Sequence, residues 1–415
     1  MTQGKTAAPP ASHLIPSRAS RPGDDPIFAL NAEASARRAK GESIVNATVG
    51  SLLNDDGTLA VLPTAARAVK EVAASEWAAY APIAGSPAFL NAVVEVAFGS
   101  RRRLAAGAVA VATPGGSGAL RHAISTFLEP GQALLTTSYY WNPYATIADE
   151  QERKVKTFSM FDRQGRLDVL ALDASLSAVL SEQGRALLIL NDPCQNPTGY
   201  SMSASDWEGV REVVSRHAAM APVAVVLDAA YAAYGPAGNL AAPLAALEAL
   251  SERALVMTAW TASKSFTHYG LRVGALVAVV PDAKERSRVG AALTYACRGT
   301  WSNCSRGGMA AVARLLSDPP LRAAVDEERQ ALVRLLGERV AAFNAAARAA
   351  GLAYPRYDGG FFTTVFTRDS EGAARRMRQE GVYVVPIEGA LRLGLCSVAR
   401  GDVDRLVASV SRAVK

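Results

Sequence analysis

The chain has 415 residues, too many for one ordinary core of about 100–200, so two lobes, or one large α/β unit with a satellite, are expected. Half of its residues are hydrophobic, 20% are charged and 7% aromatic, which supplies a buried core and excludes disorder along most of the length. The net charge is +6, from 44 Lys plus Arg against 38 Asp plus Glu, but Arg101-Arg102-Arg103 is the only tight basic run, and a nucleic-acid arm would need clustering with stacking aromatics. The four cysteines, Cys194, Cys297, Cys304 and Cys396, form no CxxC pair and have no histidine at ligand spacing. No metal site is therefore expected, and the thiols read as those of a reduced, cytoplasmic protein. Apolar runs such as Ala221 to Ala230 are broken well before the roughly 20 residues of a membrane span.

Residues 1–24 are rich in Ala, Pro and Ser and lack an apolar signal core, so a flexible leader is expected. A segment over 25–60, opening on Pro26-Ile27-Phe28, is expected to join a small domain. Leu62-Pro63 followed by Ala65, Val69 and Val72 reads as a helix start. Short β-rich runs then recur at Ala108 to Ala112, Ala133 to Thr136, Ala186 to Leu190, Val223 to Leu227, Ala254 to Thr258 and Val273 to Val280. Each is followed by turn residues and an Ala/Leu-rich helix, the pattern of an α/β fold with a mainly parallel sheet covered on both faces. This predicts a large domain over 61–308. A long helical stretch over Ala310 to Gly351, then strand candidates at Phe361-Phe362 and Val382 to Val385, predict a small α+β domain over 309–415.

The residues that carry chemistry sit where these strands end. Thr113-Pro114-Gly115-Gly116-Ser117-Gly118 leaves one strand and opens a helix with apolar Leu120, Ile124, Phe127 and Leu128. Its free N–H groups and the Ser117 hydroxyl can cradle an anion, although a plain glycine turn would look the same, and the spacing fits neither GxGxxG nor the Walker loop. Asn191-Asp192-Pro193-Cys194-Gln195-Asn196-Pro197-Thr198-Gly199 is turn-forming, yet it lies at the carboxyl end of a parallel strand, where open sheets place ligands. Asp228 ends an apolar run, with Tyr231 three residues on. A carboxylate there is either a helix cap or the partner of a protonated ring nitrogen. Lys264, one of eight lysines, is either a snorkelling side chain or an amine made nucleophilic by apolar neighbours and nearby cations. Arg272, eight residues later, can present a guanidinium to a phosphate.

Cradle, amide loop, strand-end Asp with Tyr, then Lys with Arg is the order found in fold-type I enzymes that use pyridoxal 5'-phosphate. From about Asp25 to the C-terminus the chain resembles the class I family of aspartate and aromatic amino acid aminotransferases. The most specific pieces are Asn196-Pro197-Thr198-Gly199, Asp228-Ala229-Ala230-Tyr231, and Ser263-Lys264 with Arg272. The resemblance implies a seven-stranded, mainly parallel sheet and a ping-pong transamination between an L-amino acid and a 2-oxo acid. It implies that Lys264 forms the Schiff base and shuttles the α-proton, that Asp228 pairs with the pyridinium nitrogen, and that Tyr231 and Asn196 bind the 3'-oxygen. Gly116, Ser117, Gly118, Thr261 and Arg272 would hold the phosphate. Trp141 would stack on the ring, or Tyr140 if the register shifts by one.

On the substrate side the resemblance implies that Arg392 clamps the α-carboxylate and that Val49-Gly50 closes over the bound amino acid. Tyr80 would reach a neighbouring subunit's phosphate, which implies a homodimer with shared sites. Arg298 falls where dicarboxylate-using members hold the distal carboxylate, the alternative being a surface ion pair; aromatic substrates also fit such pockets. Four departures line the pocket. Gly115 stands at a frequent serine, Tyr144 at a common histidine, Ser51-Leu52 at a small residue and an aromatic, and Cys304-Ser305 at a usual Pro-Pro. They leave open a second reading, the same cofactor turned to decarboxylation, elimination, cyclisation or oxidation. A non-catalytic sensor is a third.

Overall fold

The computed structural model describes residues 13–23, 26–99, 101–235 and 240–415. Residues 1–12 and 24 of the expected leader lie outside the described residues. Of the part that is described, Arg18 and Arg21 pair with Glu150 and Asp149.

Strand β1 (Val45–Asn46) precedes the seven strands of one sheet: β2 (Ala108–Pro114), β3 (Ala133–Thr137), β4 (Lys154–Phe158), β5 (Ala186–Asn191), β6 (Val223–Asp228), β7 (Leu255–Thr261) and β8 (Val273–Val279). Their order is β2-β8-β7-β6-β5-β3-β4. All neighbours run parallel except β8, which is antiparallel to both β7 and β2. Every residue of β3, β5, β6 and β8 is buried, as a sheet covered on both faces requires, and so these strands read as unbroken apolar runs. The strand of this sheet that apolar content does not mark is β4. Its Lys154-Val155-Lys156-Thr157 is half-exposed because it forms the sheet edge, where lysines discourage pairing with another chain.

Alternation along the strands decides what each face carries. Val225, Leu227, Val256 and Trp260 join one core cluster; Val226, Met257 and Ala259 join a second with Leu120, Ile124 and Tyr144. The same period places Asn191, Asp228 and Thr261, the last residues of β5, β6 and β7, on this second face. The helix Gly115–Phe127 covers this face, with Leu120 and Ile124 in the same cluster and Gly116 beside Thr261.

The helical stretch expected over Ala310 to Gly351 is two helices, Arg306–Ser317 and Pro319–Ala349. Asp318 accepts from the Leu321 N–H, and Pro319-Pro320 starts the second helix at the position where proline is tolerated. Met309, Val312 and Leu315 of the first pack with the large sheet. Leu336, Val340 and Phe343 of the second pack with a smaller unit. That unit holds β9 (Phe362–Phe366), β10 (Val382–Tyr383), β11 (Val385–Ile387) and β12 (Ala390–Gly394). There β11-β12-β9 forms an antiparallel sheet and β10 pairs with β1. No described helix is long and apolar enough to cross a membrane.

Arg339 ties the early strap of the chain to this smaller unit. Its side chain is fully buried, and it donates to the Leu53 carbonyl at 2.8 Å, the Cys396 carbonyl at 2.9 Å and Asp55 Oδ1 at 2.7 Å. Buried acceptors that lose their donor keep the desolvation cost. Arg339→Met is therefore expected to lower the unfolding free energy by about 3 kcal/mol in urea titrations. A change below about 0.5 kcal/mol would show that these acceptors find other partners.

Candidate active site

At the exit of β2 the backbone turns into the helix Gly115–Phe127. Gly115 has φ +67°, and a Cβ there would lie 2.5 Å from Arg272 Nη2. At Gly118 a Cβ would lie 2.5 Å from Pro114 Cδ. Glycine at 115, where the resembling family often has serine, is thus the residue that lets the guanidinium lie against the helix start. Arg272 itself has φ +53°, and it donates to Ser263 Oγ at 3.1 Å and to the Tyr269 carbonyl at 2.9 Å. Thr261 Oγ1 accepts from the Ser263 N–H at 3.1 Å and donates to Ser263 Oγ at 3.0 Å. Gly116, in the first turn with Ser117, lies beside Thr261. A helix N-terminus, hydroxyls and a guanidinium converging in this way suit a phosphate. Ser263, to which the sequence reading gave no contact, joins Thr261 to Arg272.

Lys264 follows β7 on a single helical turn, Ala262–Ser265. Its Nζ donates to the Gly50 carbonyl at 2.7 Å and lies 4.7, 5.3 and 5.5 Å from the ring centres of Tyr269, Phe361 and Tyr231. Burial brings the amine down to about 8; the Cys396 thiol opposes this, and Arg272 and Arg392 reinforce it. The sequence reading of an amine among apolar neighbours and cations is what the structure contains.

Asp228 is buried. Its Oδ2 accepts from the Tyr144 hydroxyl at 2.6 Å and its Oδ1 from the Ala230 N–H at 3.2 Å. Burial raises the carboxyl to about 6, against the pull of these two donors. Asn191 braces the neighbourhood, a role its turn-residue character did not disclose. Its Nδ2 donates to the Asp228 carbonyl at 2.8 Å and its Oδ1 accepts from the Asn196 N–H at 2.7 Å. Asn196 Nδ2 then reaches Tyr231 Oη at 3.4 Å. Trp141 sets its ring edge-on to Tyr144 at 5.7 Å, while Tyr140 stacks on Tyr144 at 6.2 Å, so both candidates for ring stacking border the same phenol.

Arg392 on β12 is buried, donates to the Thr48 carbonyl at 2.6 Å and lies 4.6 Å from the Phe362 ring centre. The strap 48–50 thus touches Arg392 at one end and Lys264 at the other. Arg298 and Tyr80 are elsewhere. Arg298 is exposed and donates to Ser302 Oγ at 2.6 Å, and Tyr80 is 89% exposed. Neither shares a hydrogen bond with Lys264 or Asp228 among the described residues. Ser305, in place of a family proline, caps the helix Arg306–Ser317 by accepting from the Gly308 N–H at 3.2 Å.

Both central groups weaken the ligand-free fold. For Asp228 the folded value, about 6, exceeds the ordinary 3.8, so the unfolded chain ionises first. The penalty grows as pH rises between those values and persists above them. For Lys264 the folded value, about 8, lies below the ordinary 10.5, so its penalty is full below about 8 and fades as pH rises toward 10.5. Asp228→Asn, which still offers Tyr144 an acceptor, should raise the unfolding free energy of the ligand-free protein near pH 8 by about 1–3 kcal/mol. A ligand-free variant less stable than its parent in chemical denaturation contradicts this.

Residues 42–410 match the family model for aminotransferase class I and II. An aromatic-amino-acid aminotransferase of Pseudomonas aeruginosa is 30% identical over 340 residues, which cover 79% of this chain and 81% of that protein. A tyrosine aminotransferase of Klebsiella pneumoniae is 28% identical, over 82% of this chain and 86% of that one. Among solved structures, an aminotransferase from Anaerococcus prevotii superposes with a TM-score of 0.91 at 27% identity, covering 98% of this chain and all of that one. An aromatic-amino-acid aminotransferase from Burkholderia pseudomallei, covalently bound to pyridoxal phosphate, gives 0.79 at 25% identity, covering 96% and 98%. The chain belongs to the class I and II aminotransferase family and is a pyridoxal-phosphate-dependent aminotransferase of fold-type I.

Proposed function

We propose that the cleft between Lys264, Asp228 and Arg392 exchanges the amino group of a dicarboxylic or aromatic L-amino acid with that of a 2-oxo acid. The observation that carries this reading is the Lys264 amine, brought down to about 8 and held on the Gly50 carbonyl, next to the residues that contact Asp228 and Arg392. The chain fits the cofactor. A carboxylate buried without a cation among the described residues, a deprotonatable amine, and a helix start at which Gly115, at positive φ, faces the Arg272 guanidinium are three separate features that one phosphorylated pyridine aldehyde satisfies together.

When bound, pyridoxal phosphate supplies a conjugated ring that accepts the electron pair released at Cα. Lys264 Nζ would take up the aldehyde and later move the Cα proton; a single base at that place serves both removal and return. Asp228 would hold the ring nitrogen protonated, with Tyr231 and Asn196 on the 3'-oxygen and Trp141 over the ring. Gly116, Ser117, Gly118, Thr261 and Arg272 would orient the phosphate, and Val49, Gly50 and Arg392 the substrate's α-carboxylate side. The domains are taken as 61–308 for the cofactor, with the helix Arg306–Ser317 packed on it, and 25–60 with the rest of 309–415 for the smaller unit, and the compartment as the cytoplasm.

Arg298 and Tyr80 enter through a homodimer. The exposure of Tyr80, with Trp77 at 63% and Tyr295 at 82%, supports a second copy covering this side, Tyr80 reaching its phosphate and Arg298 its distal carboxylate. Mixing is the test. Lys264→Ala and Arg298→Ala subunits, each poor with aspartate or glutamate, should on co-refolding form hybrids with one intact site and regain dicarboxylate turnover, with 2-oxo acid as product. Hybrids no more active than the parents contradict a shared site. Release of ammonia or CO2 without an amino acceptor contradicts transamination.

A further inference from the structure

Tyr144 is fully buried at the start of the helix Pro143–Glu150, closed in by Tyr140 and Trp141. Its hydroxyl gives Asp228 Oδ2 a 2.6 Å bond, the length of a charge-assisted contact. The other oxygen, Oδ1, has one backbone donor at 3.2 Å. Tyr231, on the turn after β6, also feels the Asp228 charge, and burial raises Asp228 itself against the pull of its two donors. Burial, then the Asp228 charge, pushes the Tyr144 phenol well above its ordinary range, so its proton stays in place wherever the enzyme operates. An imidazole can gain or lose a proton near neutrality, which a phenol does not. The phenol is a donor that does not switch.

We propose that Tyr144 is the positioning residue that locks one oxygen of Asp228, aims the other at the cofactor's ring nitrogen, and keeps that carboxylate ionised. The proposal rests on the cofactor placement given above. Removing the hydroxyl leaves a buried carboxylate with one long donor, so the carboxyl holds its proton to higher pH and presents less charge to the ring.

Pyridoxamine 5'-phosphate, which needs no bond to Lys264, is the probe, titrated calorimetrically into the ligand-free full chain between about pH 5 and 8. In the parent, affinity should fall as pH drops through about 6, where Asp228 takes up its proton. Tyr144→Phe should weaken binding near pH 8 roughly tenfold and move the fall-off up by about one pH unit. Tyr144→His should recover affinity to within about threefold above neutrality and add a second, histidine-like step to the profile. In an Asp228→Asn background the Phe substitution should cost less than about twofold, because the group it acts through is gone. An unchanged midpoint in Tyr144→Phe overturns the proposal, and so does an equal loss in the Asp228→Asn background, which would make the phenol a packing residue. Failure of the parent to bind the probe overturns the cofactor placement itself.

Discussion

A half-buried ammonium and a buried carboxylate sit at the ends of neighbouring strands, and the rest of the molecule is arranged around the cost of desolvating them. Among the described residues neither has an ion-pair partner within salt-bridge distance. Lys264 rests on a carbonyl and three aromatic rings, and Asp228 on a phenol and one amide. Each is therefore displaced toward its neutral form, the amine to about 8 and the acid to about 6. A neutral amine is the form that attacks a carbonyl, and a carboxylate short of a cation is the form that holds a protonated pyridine. Reactivity and instability are here the same property, and a cofactor that took up the amine and paired with the carboxylate would relieve both groups at once.

The sheet makes the juxtaposition possible. Three parallel strands, β5, β6 and β7, end in Asn191, Asp228 and Thr261. Because side chains alternate, all three fall on the face covered by the helix Gly115–Phe127. The carboxyl ends of parallel strands and the amino end of a helix thus meet at one edge, the usual ligand position in open α/β sheets. The smaller unit supplies the opposite wall. Arg339 holds the strap near Leu53 and Asp55 to the Cys396 region, and the same strap presents the Gly50 carbonyl to Lys264 and the Thr48 carbonyl to Arg392. A buried arginine far in sequence from Lys264 therefore anchors the segment that reaches both Lys264 and Arg392.

Much of this was legible because it depends on local pattern. Unbroken apolar runs marked β3, β5, β6 and β8, and the residue types leaving them marked the cleft. What escaped depended on partners distant in sequence. The edge strand β4 carries lysines because it has only one neighbour, and a reading by apolar content passes over it. The break at Pro319 was written in the sequence, but continuous helical periodicity on both sides of it hid the change of core. Asn191 reads as a turn former until its amide is seen bridging the Asp228 and Asn196 backbones. Tyr144 and Gly115 looked like departures from a family pattern. In the structure one contacts the key carboxylate and the other makes space for Arg272.

The most direct measurement is the pH dependence of covalent capture of pyridoxal phosphate by the ligand-free protein, followed by borohydride reduction and peptide mapping. Label should accumulate on Lys264, with an initial rate that rises with pH to a midpoint near 8 as the amine loses its proton. Label spread over other lysines, or a midpoint near the ordinary value of 10.5, would contradict the account.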